Sequence, residues 1–281
     1  MKGNENPVLT RLWSYAIWAV VLFFVVNLLA MIATVVINSL STRWLGTWLP
    51  PGYTTRWYFS AWKEFQLEDV LVVTFQIAAA VAFFSALLGV PAAYALARRD
   101  FPGKKLVMLL FLLPLLVPPF TYGIPLATVL YKAGLGGTMW GVIAANLVPT
   151  VPFVVLVLIP FIEQIDPRVE AAARVFGAGT VRLFVYVLVP LLTPGILAAI
   201  LLVLMRTMAA FELTFLTSGP GSQTLVVSLY YAVSAAGVRA GQSVDAMAVI
   251  YMLTTLIWLL VALRFVNPTQ IVTRAKREPA H

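Results

Sequence analysis

Six long apolar runs constrain the fold of this chain more than any other feature of its sequence. A helix needs about 20 apolar residues to cross a hydrocarbon core about 30 Å thick. Each run meets that length, and together they cover residues 14–37, 70–97, 106–131, 139–162, 190–212 and 245–266. Charged residues make up only 11% of the chain and hydrophobic residues 61%, which is unlike a soluble domain. The sequence therefore predicts an all-α membrane protein with six transmembrane helices, forming a single transmembrane domain over residues 1–281.

The distribution of lysine and arginine predicts the orientation of these helices. Most of the 19 basic residues fall near the two termini, between the second and third runs, or between the fourth and fifth. They are Lys2, Arg11, Arg98, Arg99, Lys104, Lys105, Arg168, Arg174, Arg182, Arg264, Arg274, Lys276 and Arg277. Because such residues favour the cytoplasmic side, both termini and residues 163–189 are expected there. The first run is too long for a signal-peptide core, and no A-x-A pattern follows it, so we expect a retained anchor.

Several classes of function are excluded by residue types that the sequence lacks. The chain has no cysteine, and its single histidine is His281, so disulfides, thiolate metal sites and histidine clusters are excluded. The motifs G-x-x-x-x-G-K-[ST], G-x-S-x-G and H-E-x-x-H do not occur, so no ATPase, hydrolase or metalloprotease activity is expected. The formal net charge of +8 could indicate nucleic-acid binding. The basic residues flank apolar runs, however, so we expect a lipid bilayer and no nucleic acid as partner.

The third apolar run contains enough proline to interrupt a helix. Pro114, Pro118, Pro119 and Pro125 each lack the backbone N–H that an internal helical hydrogen bond needs. A broken helix is tolerated inside a membrane where its free backbone groups face protein or a water-filled path. Two interpretations therefore stay open. The run forms a conduit wall or gate around Pro118, Pro119 and Tyr122, or its kinks serve packing alone.

Two ionisable residues, Arg206 and Glu212, lie within the fifth apolar run. A charged side chain inside a membrane is by default a functional hypothesis. The alternatives are that Arg206 extends its guanidinium toward the interface and that Glu212 is hydrated near the outer surface. At about 1.5 Å per residue from Pro190, Glu212 is expected about 33 Å along the helix, near that outer surface. Both residues join Pro118, Pro119 and Tyr122 as candidates for a pore or gate.

A charged segment, DPRVEAAARVFGAG at residues 166–179, separates the fourth and fifth apolar runs. Asp166 is predicted to cap a short helix whose first residue is Pro167. Gly177 and Gly179 are predicted to end that helix. Its apolar stripe consists of Ile165, Val169, Ala172 and Phe176. We expect this stripe to be the packed face of the helix.

The other face of this short helix is predicted to carry an ion pair between Glu170 and Arg174, four residues apart. Thr180 is predicted to cap a second short helix that Pro190 ends. The stripe of this second helix consists of Val181, Phe184, Val185 and Leu188. Because acidic and basic residues balance on the polar side, we favour docking onto a soluble partner over lying flat on lipid.

In this segment the sequence resembles the membrane permease subunits of bacterial ABC importers. Their EAA loop reads roughly E-A-A-x-x-x-G, followed by nine residues and I-x-L-P. Gly177 and Pro190 are 13 residues apart, which matches that spacing, and the letters before Pro190 are VLV. The motif has its glutamate six residues before the glycine, where this chain has Ala171. Glu170 lies one residue earlier, and the resemblance leaves open which of the two positions takes the role.

The resemblance implies a type I permease fold in the bacterial inner membrane. It implies that residues 163–189 are the coupling loop of this chain, which fits a groove on a separate ABC ATPase subunit, and that the ATPase subunit would bind the ATP and Mg. This chain would bind no cofactor and would form half of the pore, with a second copy or a sister permease. An extracytoplasmic solute-binding protein would deliver the solute. The implied coupling residues are Asp166, Glu170, Ala171, Ala172, Phe176, Gly177, Gly179 and Pro190.

Two further stretches resemble the polyamine, opine and iron group of these permeases more than the maltose-type group. They are RWLGTWLPPGYTTRWY between the first two runs and FELTFLTSGPGSQTLVVSLY after the fifth. The solute expected on this ground is a polyamine or an opine-like molecule. The alternatives are a maltose-type sugar permease and a secondary transporter or channel that acts alone.

Overall fold

The computed structural model of the chain describes residues 7–235, 237 and 239–265. Its helices are α1 (Pro7–Leu40), α2 (Arg56–Glu64), α3 (Leu67–Arg98), α4 (Lys104–Leu116), α5 (Pro119–Lys132), α6 (Met139–Glu163), α7 (Pro167–Val175), α8 (Thr180–Leu183), α9 (Val189–Met208), α10 (Glu212–Thr217), α11 (Leu225–Ser234) and α12 (Gly241–Phe265). A π-helical turn, Phe184–Leu188, joins α8 to α9. Residues 1–6 and 266–281, which carry the predicted cytoplasmic termini, lie outside the described residues.

Within the described residues, five helices are long and apolar enough to cross a membrane, and a bent pair brings the number to six. The five are Trp13–Leu40, Leu67–Arg98, Met139–Glu163, Thr180–Met208 and Gly241–Arg264, and the pair is Lys104–Leu116 with Pro119–Lys132. The predicted all-α membrane fold is therefore confirmed. The described residues divide into two units. One comprises the residues up to Glu64 together with Ala232–Ile250, and the other comprises Phe65–Tyr231 and the residues from Tyr251 onward.

The first unit contains the loop between α1 and α2, residues 41–55, which is rich in tryptophan and tyrosine. Within this unit the Trp57 indole N–H donates to the Ser41 carbonyl at 2.7 Å. The Glu64 carboxylate at the end of α2 accepts a hydrogen bond from the Ser243 hydroxyl at 2.9 Å and pairs with Arg239 at 3.1 Å. The Trp57 contact thus holds the beginning of α2 near the end of α1. The Glu64 contacts hold the end of α2 near the beginning of α12.

The second unit is built around α3, which packs against α6 and α9. Its buried core contains, among others, Ile77, Val81, Val154, Leu158 and Val203. These aliphatic side chains stabilise the unit by close packing, because in lipid the hydrophobic effect between helices is weak.

The third predicted span is broken where its prolines require it. Helices α4 and α5 are bent by 98° at a two-residue break. Val117 and Pro118, the two residues of the break, each precede a proline and have extended backbones with ψ near 134° and 133°. A residue before proline is disfavoured in the helical region, so two in succession end α4. Pro114 and Pro125 lie inside α4 and α5 without breaking them.

The fifth span differs from its predicted limits of 190–212 at both ends. The helical segment begins at Thr180, continues through Pro190 and ends at Met208. The prediction that Pro190 ends a separate short helix is therefore wrong. In the π turn the Val189 N–H donates to the Phe184 carbonyl five residues earlier. Pro190 then follows near the beginning of α9, where its missing N–H is tolerated. Glu212 belongs to α10 and not to this helix.

Candidate functional site

Helix α7 begins and ends where the sequence predicts. The Asp166 carboxylate accepts a hydrogen bond from the Arg168 backbone N–H at 2.9 Å, and Pro167 is the first helical residue. Gly177 follows the helix with φ +82°, a left-handed conformation that glycine adopts without strain. Gly179 is the residue directly before α8, so the cap position predicted for Thr180 is wrong by one residue. Thr180 instead begins α8.

The Glu170 side chain points into the protein and not to solvent. The residue is only 9% exposed, and it is the buried residue of α7. Its carboxylate accepts a hydrogen bond from the Tyr94 hydroxyl at 2.7 Å and pairs with the Arg98 Nε at 2.8 Å. The predicted ion pair between Glu170 and Arg174 is therefore wrong. The end of α3 offers a partner that is shielded from water, which an exposed i, i+4 partner is not.

The predicted apolar stripe of α7 is exposed on this chain. Phe176 is 90% exposed and Val175, beside it, is 85% exposed, while Val169 is 40% exposed. Ala171 and Ala172 are exposed as well. The stripe is thus not packed within this chain, apart from Ile165, which lies partly buried against the core. A cluster of exposed apolar side chains beside a buried charge is typical of a surface that another protein covers.

Two residues of this site, Tyr94 and Arg98, were missed by the sequence analysis as site residues. Arg98 contributed only to the prediction of orientation, and Tyr94 lies in an unbroken apolar run. Its hydroxyl also lies near the Arg174 guanidinium. The sequence carries no signal for either contact, because Tyr94 and Arg98 lie 76 and 72 residues before Glu170 along the chain.

The second group of candidates lies around the break between α4 and α5. Pro118 is the residue before α5, Pro119 begins it, and Tyr122 is in its first turn. Gly123 is buried against α10, where a Cβ atom would lie 2.9 Å from Leu213 and Leu216 side-chain carbons. The Tyr122 hydroxyl oxygen is buried and has no hydrogen-bond partner among the described residues.

Arg206 and Glu212 lie close to the same tyrosine. Arg206, in the last turn of α9, is exposed, and its guanidinium carbon lies 5.3 Å from the centroid of the Phe153 ring. Glu212 is half-buried at the beginning of α10. Both charges interact electrostatically with the Tyr122 hydroxyl. The structure thus places two of the five residues predicted for a pore or gate within electrostatic range of a third, near the helix break at Val117 and Pro118.

Residues 85–271 match the protein family described as "Binding-protein-dependent transport system inner membrane component". A putative molybdenum transport system permease protein of Bacillus subtilis is 30% identical over 178 residues, which cover 58% of this chain and 78% of the relative. A putative 2-aminoethylphosphonate transport system permease protein of Salmonella typhimurium is 28% identical over 209 residues, covering 74% and 78%.

Among solved structures, the fold matches a chain of a bacterial ABC transporter involved in the import of the acidic polysaccharide alginate. The TM-score is 0.74 at 17% identity, and the match covers 90% of this chain and 96% of the other. The family match extends over most of the described spans and includes the segment with α7. This chain therefore belongs to the binding-protein-dependent transport system inner membrane components, the permease subunits of ABC importers.

Proposed function

We propose that this chain forms half of an importer pore and that α7 docks onto a separate ATP-hydrolysing subunit, which binds the ATP and Mg. This proposal rests on the orientation of α7, in which Glu170 is buried and Phe176 is almost fully exposed. Exposed apolar side chains on a capped helix favour a protein groove, because burial there removes them from water. Paired permeases of this kind would alternate between inward-open and outward-open forms.

The remaining partners follow from the same proposal. The second half of the pore is another copy of this chain or a sister permease, and an extracytoplasmic binding protein delivers the solute. The exposed apolar stretch of α1, which includes Trp18, Phe23 and Leu29, is consistent with contact to lipid or to such a partner. Purification of the importer from membranes, followed by determination of its subunit ratio, distinguishes a pair of identical chains from a mixed pair.

Substitution of Phe176 tests the docking role of α7. In Phe176→Asp the assembled importer should lose its ATPase subunit on purification, because a carboxylate would have to be desolvated in the groove. The permease should still fold, since this side chain is 90% exposed. The matched control is Trp48→Asp, because Trp48 is a 98% exposed aromatic residue in the loop after α1. If Phe176→Asp retains the ATPase subunit as wild type does, α7 is not the docking helix.

The charges beside the helix break favour a solute that carries an oxyanion group. A guanidinium presents several N–H donors in a planar fork, which suits phosphonate, sulfate or molybdate oxygens. The Tyr122 hydroxyl, which has no hydrogen-bond partner among the described residues, adds a donor within electrostatic range of Arg206. Glu212 suits an ammonium group, so a zwitterion with an oxyanion and an amine fits the three side chains together. The Bacillus and Salmonella relatives, by their names, transport molybdenum and 2-aminoethylphosphonate.

The polyamine or opine-like solute expected from the sequence stays a prediction, and so does a sugar. Among the described residues predicted for a pore or gate, Glu212 has the one carboxylate that favours a polycation, and the positive charge of Arg206 opposes it. Uptake by proteoliposomes that contain the whole importer and its binding protein separates these solutes. Molybdate, sulfate and 2-aminoethylphosphonate are expected to be taken up or to compete, whereas putrescine and maltose are not. Uptake of putrescine alone or maltose alone would overturn the oxyanion assignment and leave the coupling role of α7 intact.

A further inference from the structure

One tyrosine of α3 contacts both sides of the glycine turn that follows α7. The Tyr94 hydroxyl donates to the Glu170 carboxylate at 2.7 Å. The Tyr94 ring meets the Phe184 ring edge-on, with 5.8 Å between centroids. Glu170 precedes Gly177 and Phe184 follows it, in the π turn that leads into α9. A single side chain of α3 therefore contacts both sides of the glycine turn between α7 and the fifth membrane helix.

Arg98 adds a second connection from the same end of α3. Its Nε donates to Glu170 at 2.8 Å, and its Nη2 donates to the Ile165 carbonyl in the residues just before α7. The side chains of Arg98 and Glu170 are only 14% and 11% exposed. A charge-assisted hydrogen bond shielded in this way is stronger and less sensitive to salt than an exposed one. By contrast, the nearby Lys104–Asp100 pair includes a fully exposed carboxylate.

Helix α3, which supplies Tyr94 and Arg98, is also the helix around which the buried core of the second unit is built. Helix α3 packs against both α6 and α9 through buried side chains such as Val81, Val90 and Leu96. Leu96 lies between Tyr94 and Arg98 in the sequence, so the residues that hold α7 belong to the same turns that are fixed in the core. A close-packed core transmits a displacement and does not absorb it.

We propose that Tyr94, Arg98 and Glu170 form an α3–α7 bridge that transmits movement of α7 to the transmembrane core. The inference rests on the proposed function, in which a separate ATPase moves α7. In the bridge, Glu170 is a positioning residue that acts inward on Arg98 and Tyr94, whereas the exposed face around Phe176 meets the partner. The bridge holds α7 against α3 while the glycine turn allows α7 to change its angle to α9.

The test compares Glu170→Gln, Arg98→Gln and the double variant in the purified importer with its ATPase subunit and binding protein. Three quantities are measured: retention of the ATPase subunit, ATP hydrolysis without solute, and solute transported per ATP hydrolysed. All variants should retain the ATPase subunit and hydrolyse ATP. Solute transported per ATP should fall on the order of tenfold, within the range typical of coupling between sites. The double variant should lose no more than either single variant, because the two residues act as one unit.

The matched control is Lys104→Gln, which removes an exposed ion pair at the beginning of α4 and should leave the ratio unchanged. An unchanged ratio in Glu170→Gln and Arg98→Gln would overturn the bridge. So would a double variant whose loss equals the product of the two single losses, since the residues would then act separately. Loss of the ATPase subunit from the variants would mean that Glu170 serves docking alone, which also contradicts transmission. Failure of the docking proposal is recognised independently, by retention of the ATPase subunit in Phe176→Asp.

Discussion

Gly89 on α3 lies directly against Val154 on α6, so close that a Cβ atom at residue 89 would come within 2.6 Å of the Val154 Cγ1. The Val154 Cβ would be 2.9 Å away. No rotation of a valine side chain moves its own Cβ, so the helices themselves would have to separate. Glycine at position 89 thus determines how closely the two central helices of the unit approach, as small residues often do in membranes.

Gly89→Ala should destabilise the protein by about 1–3 kcal/mol, the usual cost of overpacking a filled core. The measurement is thermal unfolding in detergent with a fluorescent or aggregation readout. Adding Val154→Ala should restore only part of the loss, because it removes the Cγ1 that the new side chain meets at 2.6 Å but keeps the Cβ at 2.9 Å. Gly221→Ala is the control, since a Cβ atom there meets nothing within 4 Å. Equal stability of Gly89→Ala and Gly221→Ala would contradict the packing argument.

Gly177→Ala should cost about 1 kcal/mol through backbone strain alone, because position 177 has a left-handed conformation and open space around it. Solute uptake by the assembled importer should fall as well, since the strain shifts the end of α7. Gly179→Ala changes a glycine two residues further along the same turn, but position 179 has φ −68°, which any residue adopts. We expect wild-type uptake from it. If both variants behave alike, the backbone conformation of Gly177 does not matter for coupling.

Tyr122→Phe should leave the unfolding temperature unchanged or raise it, because the hydroxyl that it removes is buried and has no hydrogen-bond partner in the described part of the chain. Uptake at low solute concentration should nevertheless fall if that hydroxyl serves the solute. Thr224→Val provides the comparison, since it removes another buried hydroxyl that no described residue hydrogen-bonds. Its uptake is expected to match wild type. Full uptake by Tyr122→Phe would mean that the Tyr122 hydroxyl does not serve the solute.

Arg206→Gln should lower uptake of an oxyanion solute on the order of tenfold, because hydrogen bonds to charged groups contribute roughly 1.5–3 kcal/mol. Arg206→Lys keeps the charge but not the planar fork, so it should fall between wild type and Arg206→Gln. Initial rates over a range of solute concentrations separate a change in apparent affinity from a change in maximal rate. ATP hydrolysis without solute should not change. Wild-type kinetics in both variants would mean that Arg206 lies outside the path.

The order and number of the membrane helices could be predicted from the sequence, since long apolar runs leave few other structures available. The caps of α7 were also predictable, because Asp166, Pro167 and Gly177 act through local backbone geometry. The break at Val117 and Pro118 belongs to the same class. Each cap and the break depend on residues within about one helical turn of each other, and each membrane helix depends on one continuous apolar run.

Features that depend on distant residues were predicted less well. Glu170 could be assigned an i, i+4 partner from its own helix, but its actual partners lie on α3. The continuity of the fifth helix through Pro190 depends on the π turn before it, and a proline by itself predicts an end. Arg206 and Glu212 were predicted to lie on one helix, whereas that helix ends at Met208 and Glu212 begins the next one.

The unbroken run from Thr180 to Met208 has a mechanical consequence. Its 29 residues form a rod whose near end begins right after the glycine turn and whose far end carries Arg206. At about 1.5 Å per residue, Arg206 lies about 39 Å from Thr180, so a tilt of about 10° at the near end would carry it about 7 Å sideways. A small rotation of this helix beside α7 would therefore displace Arg206 by about the width of a small solute. An insertion or deletion near Pro190 would therefore alter the distance that Arg206 moves, even where the docking of α7 was unchanged.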